Sequence, residues 1–200
     1  MINNGQSCIA AKRFIVVESM LKVFEEKQVS IMSAIQNGDP LDEDTDAGPL
    51  ARIDLRDELH AQVESTLKGG AKLLLGGKPV PGEGAFYQPT VITNVTRGMS
   101  LYHEETFGPV LAIIPVQDAE EAIRVANDSD FGLGGSIWTN DLESGELYAR
   151  QIESGAVLVN GMTVSDPRLP FGGIKNSGYG RELSQFGIRE FVNIKSIWIA

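Results

Sequence analysis

Short apolar runs alternate with longer amphipathic segments along most of this chain, and this alternation limits its fold more than any other feature. The short runs occupy residues 13–18, 72–75, 110–116, 135–139 and 155–160. Runs of this length are typical of strands. Residues 13–18 suit a strand that is buried on both faces of a sheet, and residues 72–75 a buried strand. Residues 87–95 also have the composition of an extended segment.

Between these runs, apolar residues recur at helical spacing. We predict helices over residues 20–35, 53–67, 118–126 and 141–152. Such alternation is the sequence form of a parallel α/β sheet, and Pro115 indicates an edge or a bulge in its strand. We therefore predict an α/β fold in which helices flank a mostly parallel, twisted sheet. Residues 1–190 would form one domain, and residues 191–200 a protruding C-terminal strand.

Composition and charge exclude several classes of protein. Hydrophobic residues make up 42% of the 200 residues, which is typical of globular chains and argues against disorder. A formal net charge of −10 argues against nucleic acid and anionic membranes as partners, because both would be repelled. The single cysteine excludes an internal disulfide framework and a thiolate metal cluster. We therefore expect a cytoplasmic protein that has no bound metal and no membrane span.

Cys8 is the first candidate for chemistry, because a thiol is a strong nucleophile when its thiolate form is favoured. Residues 3–5 (Asn-Asn-Gly) tolerate tight turns, and Ser7 is a good helix N-cap. We therefore predict that Cys8 lies in the first turn of a helix that continues through residues 9–13, where the helix dipole favours the thiolate. The alternative interpretation is that a lone cysteine is a small buried hydrophobic residue.

Four stretches, in this order along the chain, resemble motifs of the aldehyde dehydrogenase superfamily. They are residues 3–8 (Asn-Asn-Gly-Gln-Ser-Cys), 104–110 (Glu-Glu-Thr-Phe-Gly-Pro-Val), 127–133 (Asn-Asp-Ser-Asp-Phe-Gly-Leu) and 170–182 (Pro-Phe-Gly-Gly-Ile-Lys-Asn-Ser-Gly-Tyr-Gly-Arg-Glu). Ser165-Asp166 and residues 180–191 look like the succinate-semialdehyde dehydrogenase branch. The resemblance covers nearly the whole chain and is to the C-terminal catalytic portion of the family.

The resemblance implies a reaction and a cofactor. Cys8 would add to an aldehyde to give a thiohemiacetal, which loses a hydride to NAD or NADP. Water would then release the carboxylic acid from the resulting Cys8 thioester. Glu105 would accept hydrogen bonds from the nicotinamide ribose, and Phe107 would pack beside the nicotinamide. The substrate would be succinate semialdehyde or a similar small aldehyde.

The same resemblance implies a substrate tunnel along residues 160–171. The candidate contacts to the aldehyde are Asn160, Ser165, Asp166, Arg168 and Phe171. Two residues depart from the family pattern. Ile2 stands where many succinate-semialdehyde enzymes have an arginine, and Ala10 replaces a second cysteine that forms a redox disulfide in some members. That form of thiol regulation is therefore not open to Cys8.

The family's upstream asparagine and glutamate, which hold the oxyanion and activate water, have no counterpart in this sequence. We therefore expect a C-terminal piece that does not complete turnover by itself. Two other functions stay open, namely a non-catalytic binding or assembly module and a residual thiol esterase that uses Cys8. The resemblance also implies a homo-oligomer, because the family pairs its C-terminal strand, here residues 191–200, with a neighbouring subunit.

Other patterns do not predict sites. The acidic residues 42–48 lack the glycine and glutamate positions of a calcium loop, and we interpret them as a solvated loop. We interpret His60 and His103 as surface or loop histidines, because nothing in the sequence places either of them beside Cys8.

Overall fold

The computed structural model describes residues 2–200. These residues divide into two compact units, one ending at Val125 and one spanning Ala126–Ala200. We refer to them as the N-terminal unit and the C-terminal unit. The sequence-based boundary between residues 190 and 191 stays a prediction.

The N-terminal unit is built on a four-stranded sheet. Its strands are β1 (Arg13–Val17), β2 (Lys72–Leu75), β3 (Thr90–Thr93) and β4 (Val110–Val116), in the order β1-β4-β3-β2. β4 runs parallel to both of its neighbours, whereas β2 pairs antiparallel with β3. The predicted α/β fold with a mostly parallel sheet is confirmed.

Helices cover both faces of this sheet. They are α1 (Glu18–Ser33), α2 (Ile53–Lys68), α3 (Ser100–His103) and α4 (Ala119–Asn127), which runs across the boundary of the unit. Alternate residues of a strand point to opposite faces. Val91, Leu111 and Ile113 pack with side chains of α1, while Ile92 and Ala112 pack with side chains of α2. β4 therefore lies at the centre of the core.

Two strand predictions need correction. Residues 72–75 are predicted to be buried, but Lys72 and Leu73 are exposed, because β2 is an edge strand that pairs with β3 alone. Pro115 lies in a central strand and not at an edge. Pairing with β3 ends at Ala112, so Pro115 has only β1 beside it within the sheet, and its missing N–H removes no bond to β3.

The helix predictions are mostly close to the observed bounds. α1 begins directly after β1, with Val17 at its N-cap and no side-chain hydrogen bond to cap it. α4 starts as expected after Asp118, whose carboxylate accepts the N–H of Glu121 at 2.8 Å. Among residues 2–200, no helix has both the length and the apolar character needed to cross a membrane.

The C-terminal unit contains two small sheets. β6 (Gly134–Ile137) pairs parallel with β7 (Ala156–Val159), and β5 (Phe131–Gly132) pairs antiparallel with β8 (Ile174–Lys175). Its helices are α5 (Leu142–Ala149) and α6 (Ser184–Arg189). Hydrogen bonds from Ser144 to the α5 N-cap, Asp141, hold the pKa of that carboxyl below its usual value.

Residues 191–200 contain no assigned strand, although the sequence predicts one. A strand is defined by its hydrogen-bonded partner, and the described chain provides no partner strand for this segment. Its apolar side chains, including Ile194 and Trp198, are exposed. Pairing of this segment with another chain stays a prediction.

Candidate active site

The loop that precedes Cys8 is a tight left-handed turn. Asn3 and Asn4 have φ values of 48° and 54°, and Gly5 follows with a φ of 75°. The N–H of Gln6 donates to the carbonyl of Asn3 at 2.9 Å. Asparagine and glycine adopt this backbone conformation more readily than other residues, which explains why the sequence reads Asn-Asn-Gly here.

Cys8 lies in a second turn, in which the N–H of Ala10 donates to the Ser7 carbonyl at 3.0 Å. The predicted helix after Ser7 is wrong. β1 begins at Arg13 and pairs with β4, which leaves too few residues between the turn and the strand for a helix. The Cys8 side chain is exposed, so the alternative of a buried hydrophobic cysteine is also wrong.

Two polar side chains tie this loop to residues 48–51, at the end of the acidic loop. Asn4 is buried, and its Nδ2 donates to the carbonyl of Gly48 at 2.7 Å. Gln6 Oε1 accepts the N–H of Ala51 at 2.9 Å. The loop is therefore fixed to the body of the N-terminal unit a few residues before Cys8.

Gly5 brings the loop against the segment that contains Glu105 and Phe107. A Cβ atom at residue 5 would lie 2.2 Å from the carbonyl oxygen of Gly108, which is closer than atoms of this kind can approach. Its left-handed conformation favours glycine, and this close contact requires it. The Cys8 loop and residues 105–108 are therefore in direct backbone contact.

Glu105 and Phe107 are exposed, while Thr106 between them is buried. This alternation places both side chains on one side of an extended segment, as the spacing predicts. Gln62 of α2 supports the segment, because its Nε2 donates to the carbonyl of Glu105 at 3.2 Å. A carboxylate and an exposed ring side by side suit the ribose hydroxyls and the flat ring of a nicotinamide nucleotide.

Lys12 lies among these groups, and sequence analysis missed it. Its Nζ donates to the carbonyl of Gly5 at 2.7 Å and lies 4.3 Å from the centroid of the Phe107 ring. Burial lowers the pKa of Lys12 to about 8, and its electrostatic interactions with Glu105 and Cys8 partly oppose that shift. The only signal in the sequence is a lysine between the cysteine turn and an apolar strand.

Three of the five predicted substrate contacts have well-defined polar partners in the C-terminal unit. The side-chain amide of Asn160 bonds to the backbone N–H and carbonyl of Thr139, at 2.9 and 2.8 Å. Arg168 binds both carboxylate oxygens of Asp166, at 2.9 and 2.5 Å. The hydrogen bond from the Arg168 side chain holds the pKa of Asp166 at about 2.

The other two predicted contacts are Ser165 and Phe171. Ser165 is exposed. Phe171 is half-buried, and its backbone exchanges N–H and carbonyl hydrogen bonds with Glu182, both at 2.8 Å. Arg181 Nη1 donates to the carbonyl of Gly173 at 2.9 Å. These bonds close residues 171–182 into a loop that fixes the backbone of Phe171.

Both histidines have partners within the N-terminal unit. His60 Nδ1 lies 3.1 Å from the hydroxyl of Tyr87, and His103 Nε2 accepts the N–H of Gly98 at 3.1 Å. In the part of the chain that the structure describes, no cluster of three or more His, Cys, Asp or Glu side chains could hold a metal ion.

The chain matches known protein sequences along nearly its whole length. A sequence model of the Aldehyde dehydrogenase family matches residues 1–197. The NAD(P)+ succinate semialdehyde dehydrogenase Sad of Escherichia coli (strain K12) is 52% identical over 196 residues, covering 98% of this chain and 42% of that protein. The NADP(+) succinate-semialdehyde dehydrogenase 1 of Mycobacterium tuberculosis (strain ATCC 25618 / H37Rv) is 52% identical over 198 residues, covering 99% and 43%. The chain thus spans less than half the length of these relatives.

Solved structures give the same pattern. Succinic semialdehyde dehydrogenase from Streptococcus pyogenes in complex with NADP+ has a TM-score of 0.94 at 41% identity, covering 98% of this chain and 43% of that chain. Lactaldehyde dehydrogenase from Escherichia coli has a TM-score of 0.94 at 32% identity, covering 98% and 42%. Betaine aldehyde dehydrogenase from Staphylococcus aureus in complex with NAD+ has a TM-score of 0.89 at 34% identity, covering 94% and 38%.

Proposed function

Because the chain belongs to the aldehyde dehydrogenase family, we propose that it forms the cysteine-bearing catalytic part of an NAD(P)-dependent aldehyde dehydrogenase. The observation that carries this proposal is the grouping of Cys8, Glu105 and Phe107 around Lys12 within the N-terminal unit. Oxidation of an aldehyde through a thioester needs a thiol nucleophile and contacts that place a nicotinamide beside it.

Cys8 supplies the nucleophile. Its thiolate sulfur bonds to the aldehyde carbon while an electron pair of the carbonyl moves to oxygen, which gives the oxyanion of a thiohemiacetal. A nicotinamide nucleotide, when bound, supplies the hydride acceptor. Loss of the hydride leaves a thioester on Cys8. Water then attacks the thioester carbon, and cleavage of the carbon–sulfur bond releases the carboxylic acid and frees Cys8.

Glu105 and Phe107 would hold the nicotinamide end of NAD or NADP. The carboxylate of Glu105 would accept hydrogen bonds from the ribose hydroxyls, and the exposed face of Phe107 would cover the nicotinamide. Both residues would contact that end of the cofactor only. We therefore propose that these 200 residues, assayed alone, show no steady-state oxidation of an aldehyde.

We propose a small polar aldehyde of the succinate semialdehyde type as the substrate, by analogy with the relatives named above. Asp166, whose pKa is held at about 2, is ionised near neutral pH and would repel a substrate carboxylate. We therefore assign Asp166 to the orientation of Arg168, and contact with the polar tail of the aldehyde to Arg168 and Ser165. Asn160 and Phe171 would shape the tunnel.

The acylation half of the reaction can be tested on this chain, because Cys8 is its only cysteine. The chain is treated with an activated ester such as 4-nitrophenyl acetate, and the acyl adduct is followed by mass spectrometry. We expect Cys8 to acylate faster than a model peptide thiol and Cys8→Ala to remain unmodified. Succinate semialdehyde with NAD or NADP should give no steady-state reduced cofactor.

Other outcomes would favour the other functions. Acylation no faster than that of the peptide thiol would favour a binding or assembly module. Repeated, rapid turnover of the ester would favour a thiol esterase. Steady-state formation of NADH or NADPH that disappears in Cys8→Ala would show that the 200 residues do complete the reaction.

We also propose that residues 191–200 pair with a neighbouring subunit of a homo-oligomer, and that the protein is cytoplasmic. Ile194 and Trp198 are 96% and 90% exposed, and side chains of this size gain free energy when another chain covers them. Light scattering should detect weak self-association of the chain and none for a version that ends at Glu190. Equal monomer masses for both versions at all concentrations would contradict this role.

A further inference from the structure

Lys12 touches the two segments that carry the proposed nucleophile and cofactor contacts. Its Nζ donates to the carbonyl of Gly5 in the loop before Cys8, at 2.7 Å, and lies 4.3 Å from the centroid of the Phe107 ring. An ammonium group is a point charge with three donors, so a carbonyl oxygen and an aromatic face are both favourable partners. One side chain thereby links the Cys8 loop to the segment of Glu105 and Phe107.

The positive charge of Lys12 matters because the chain as a whole is acidic. The formal net charge is −10, so an anionic reactant is repelled at long range. Lys12 is half-buried, and its electrostatic interactions reach Cys8 and Glu105. A charge that is partly shielded from water is less screened, so it attracts an anion that approaches the Cys8 sulfur.

We infer that Lys12 is a positioning residue that holds the Cys8 loop against Phe107 and draws an anionic aldehyde to the Cys8 sulfur. The inference rests on the proposed function for its substrate, and it narrows that substrate to aldehydes with a negative charge. An aldehyde with a carboxylate tail fits, because such a group is ionised near neutral pH.

The test compares two alkylating reagents on the whole chain, anionic iodoacetate and neutral iodoacetamide. Both react with the same sulfur, so the ratio of their rate constants cancels changes in thiol reactivity and isolates the effect of reagent charge. The variants are Lys12→Met, Lys12→Arg and, as a matched control, Lys72→Met. Lys72 is exposed on β2, at the opposite edge of the sheet from β1.

In Lys12→Met, the ratio of the iodoacetate to the iodoacetamide rate constant should fall about two- to fivefold, the size expected for one partly exposed charge. Lys12→Arg and Lys72→Met should keep the wild-type ratio. A second uncharged variant, Lys12→Gln, can still donate a hydrogen bond to the Gly5 carbonyl and should lower the ratio by a similar factor. It keeps the test decisive if Lys12→Met does not fold.

An unchanged ratio in folded Lys12→Met or in folded Lys12→Gln would overturn the inference. If Cys8 still acylates rapidly with the activated ester in that case, the proposed function stands without Lys12. If the ratio falls as expected but acylation is no faster than that of a peptide thiol, the charge lies beside Cys8 and the proposed function fails.

Discussion

The two units contain similar kinds of elements but bury very different amounts of side chain. The buried hydrophobic residues among positions 2–200 all lie between Val16 and Val116, in the N-terminal unit. In the C-terminal unit, the only buried positions are three glycines, Gly132, Gly145 and Gly173. Trp138, Leu142 and Leu147 are all at least 60% exposed there.

The difference shows that a sequence pattern can specify strands and helices without providing enough layers to bury their side chains. β6 and β7 form a regular parallel pair with α5, yet a pair of strands has too few layers to enclose a core. In the N-terminal unit, four strands with helices on both faces bury every residue of β4 except the half-buried Pro115. We therefore expect the stability of the isolated chain to lie mainly in the N-terminal unit.

Removing core volume from β4 should have the largest effect. Ile113 is fully buried, and Ile113→Ala should destabilise the chain by about 2–5 kcal/mol, because it removes apolar contacts and leaves a cavity. The matched change Ile197→Ala, in a side chain that is 76% exposed, should alter stability by no more than about 0.5 kcal/mol. Urea denaturation of both variants would measure the difference, and equal effects would remove the contrast between the units.

The backbone contact between Gly5 and Gly108 should be next in size. Gly5→Ala should cost at least about 2 kcal/mol, because it combines a left-handed backbone with a clash against a carbonyl oxygen. Gly98 is also left-handed, but a Cβ there would meet no atom within 4 Å, so Gly98→Ala should cost only about 1 kcal/mol. Thermal unfolding gives both values. The alkylation rate of Cys8 should change in Gly5→Ala alone, and a similar change in Gly98→Ala would argue against this contact as the one that orders the loop.

Two buried threonines of the N-terminal unit should respond in opposite ways to the same substitution. Thr66 Oγ1 accepts the N–H of Leu101 at 3.1 Å, so Thr66→Val should cost about 1–2 kcal/mol by leaving that donor unpaired. The hydroxyl of Thr106 is buried and has no hydrogen-bond partner among the described residues. Thr106→Val should therefore be neutral or stabilising by up to about 1 kcal/mol in the same denaturation assay. A loss of stability similar to that of Thr66→Val would reveal a partner for the Thr106 hydroxyl.

The pH dependence of Lys12 should be the smallest of these effects. Its pKa is about 8 in the folded chain against the usual 10.5, so the unfolded chain binds more protons between these values. The free energy of unfolding of the wild type, relative to Lys12→Met, should therefore rise with pH from about 8 to 10.5 and be flat below that window. Because the side chain is only half-buried, the change should be about 1 kcal/mol or less. A difference that falls with pH in urea titrations would contradict the direction of the shift.

Sequence patterns predicted the elements whose local signal and tertiary role agree. β4 is an uninterrupted apolar run that is buried on both faces, and α2 shows apolar spacing that ends at Gly69. The burial prediction for β2 was wrong because its leucines have the composition of a buried strand. Its position at the edge of the sheet follows from its pairing with β3. Local composition carries no information about which strand lies at an edge.

The candidate site was predicted only in part, because a local sequence pattern does not show which distant residues come into contact. The motifs that include Cys8, Glu105 and Phe107 could be recognised because each is a short contiguous string. Lys12 could not, since its role depends on where residues about 95 positions later along the chain place a ring and a carboxylate. The helix predicted after Ser7 is wrong because the chain from Arg13 onward forms β1, which pairs with the distant strand β4.

The pairing of β1 with β4 has a consequence for the newly made protein. Arg13 lies opposite Ala112, 99 positions later in the chain. At about 5–20 residues per second, the ribosome needs about 5–20 s to make the segment between them. Until β4 emerges from the ribosome, β1 has no neighbour in the sheet. The turn that precedes β1 then has neither Gly108 nor Phe107 to contact. During that interval Cys8 is an ordinary nascent-chain thiol, exposed to oxidants without the contacts that later order its loop.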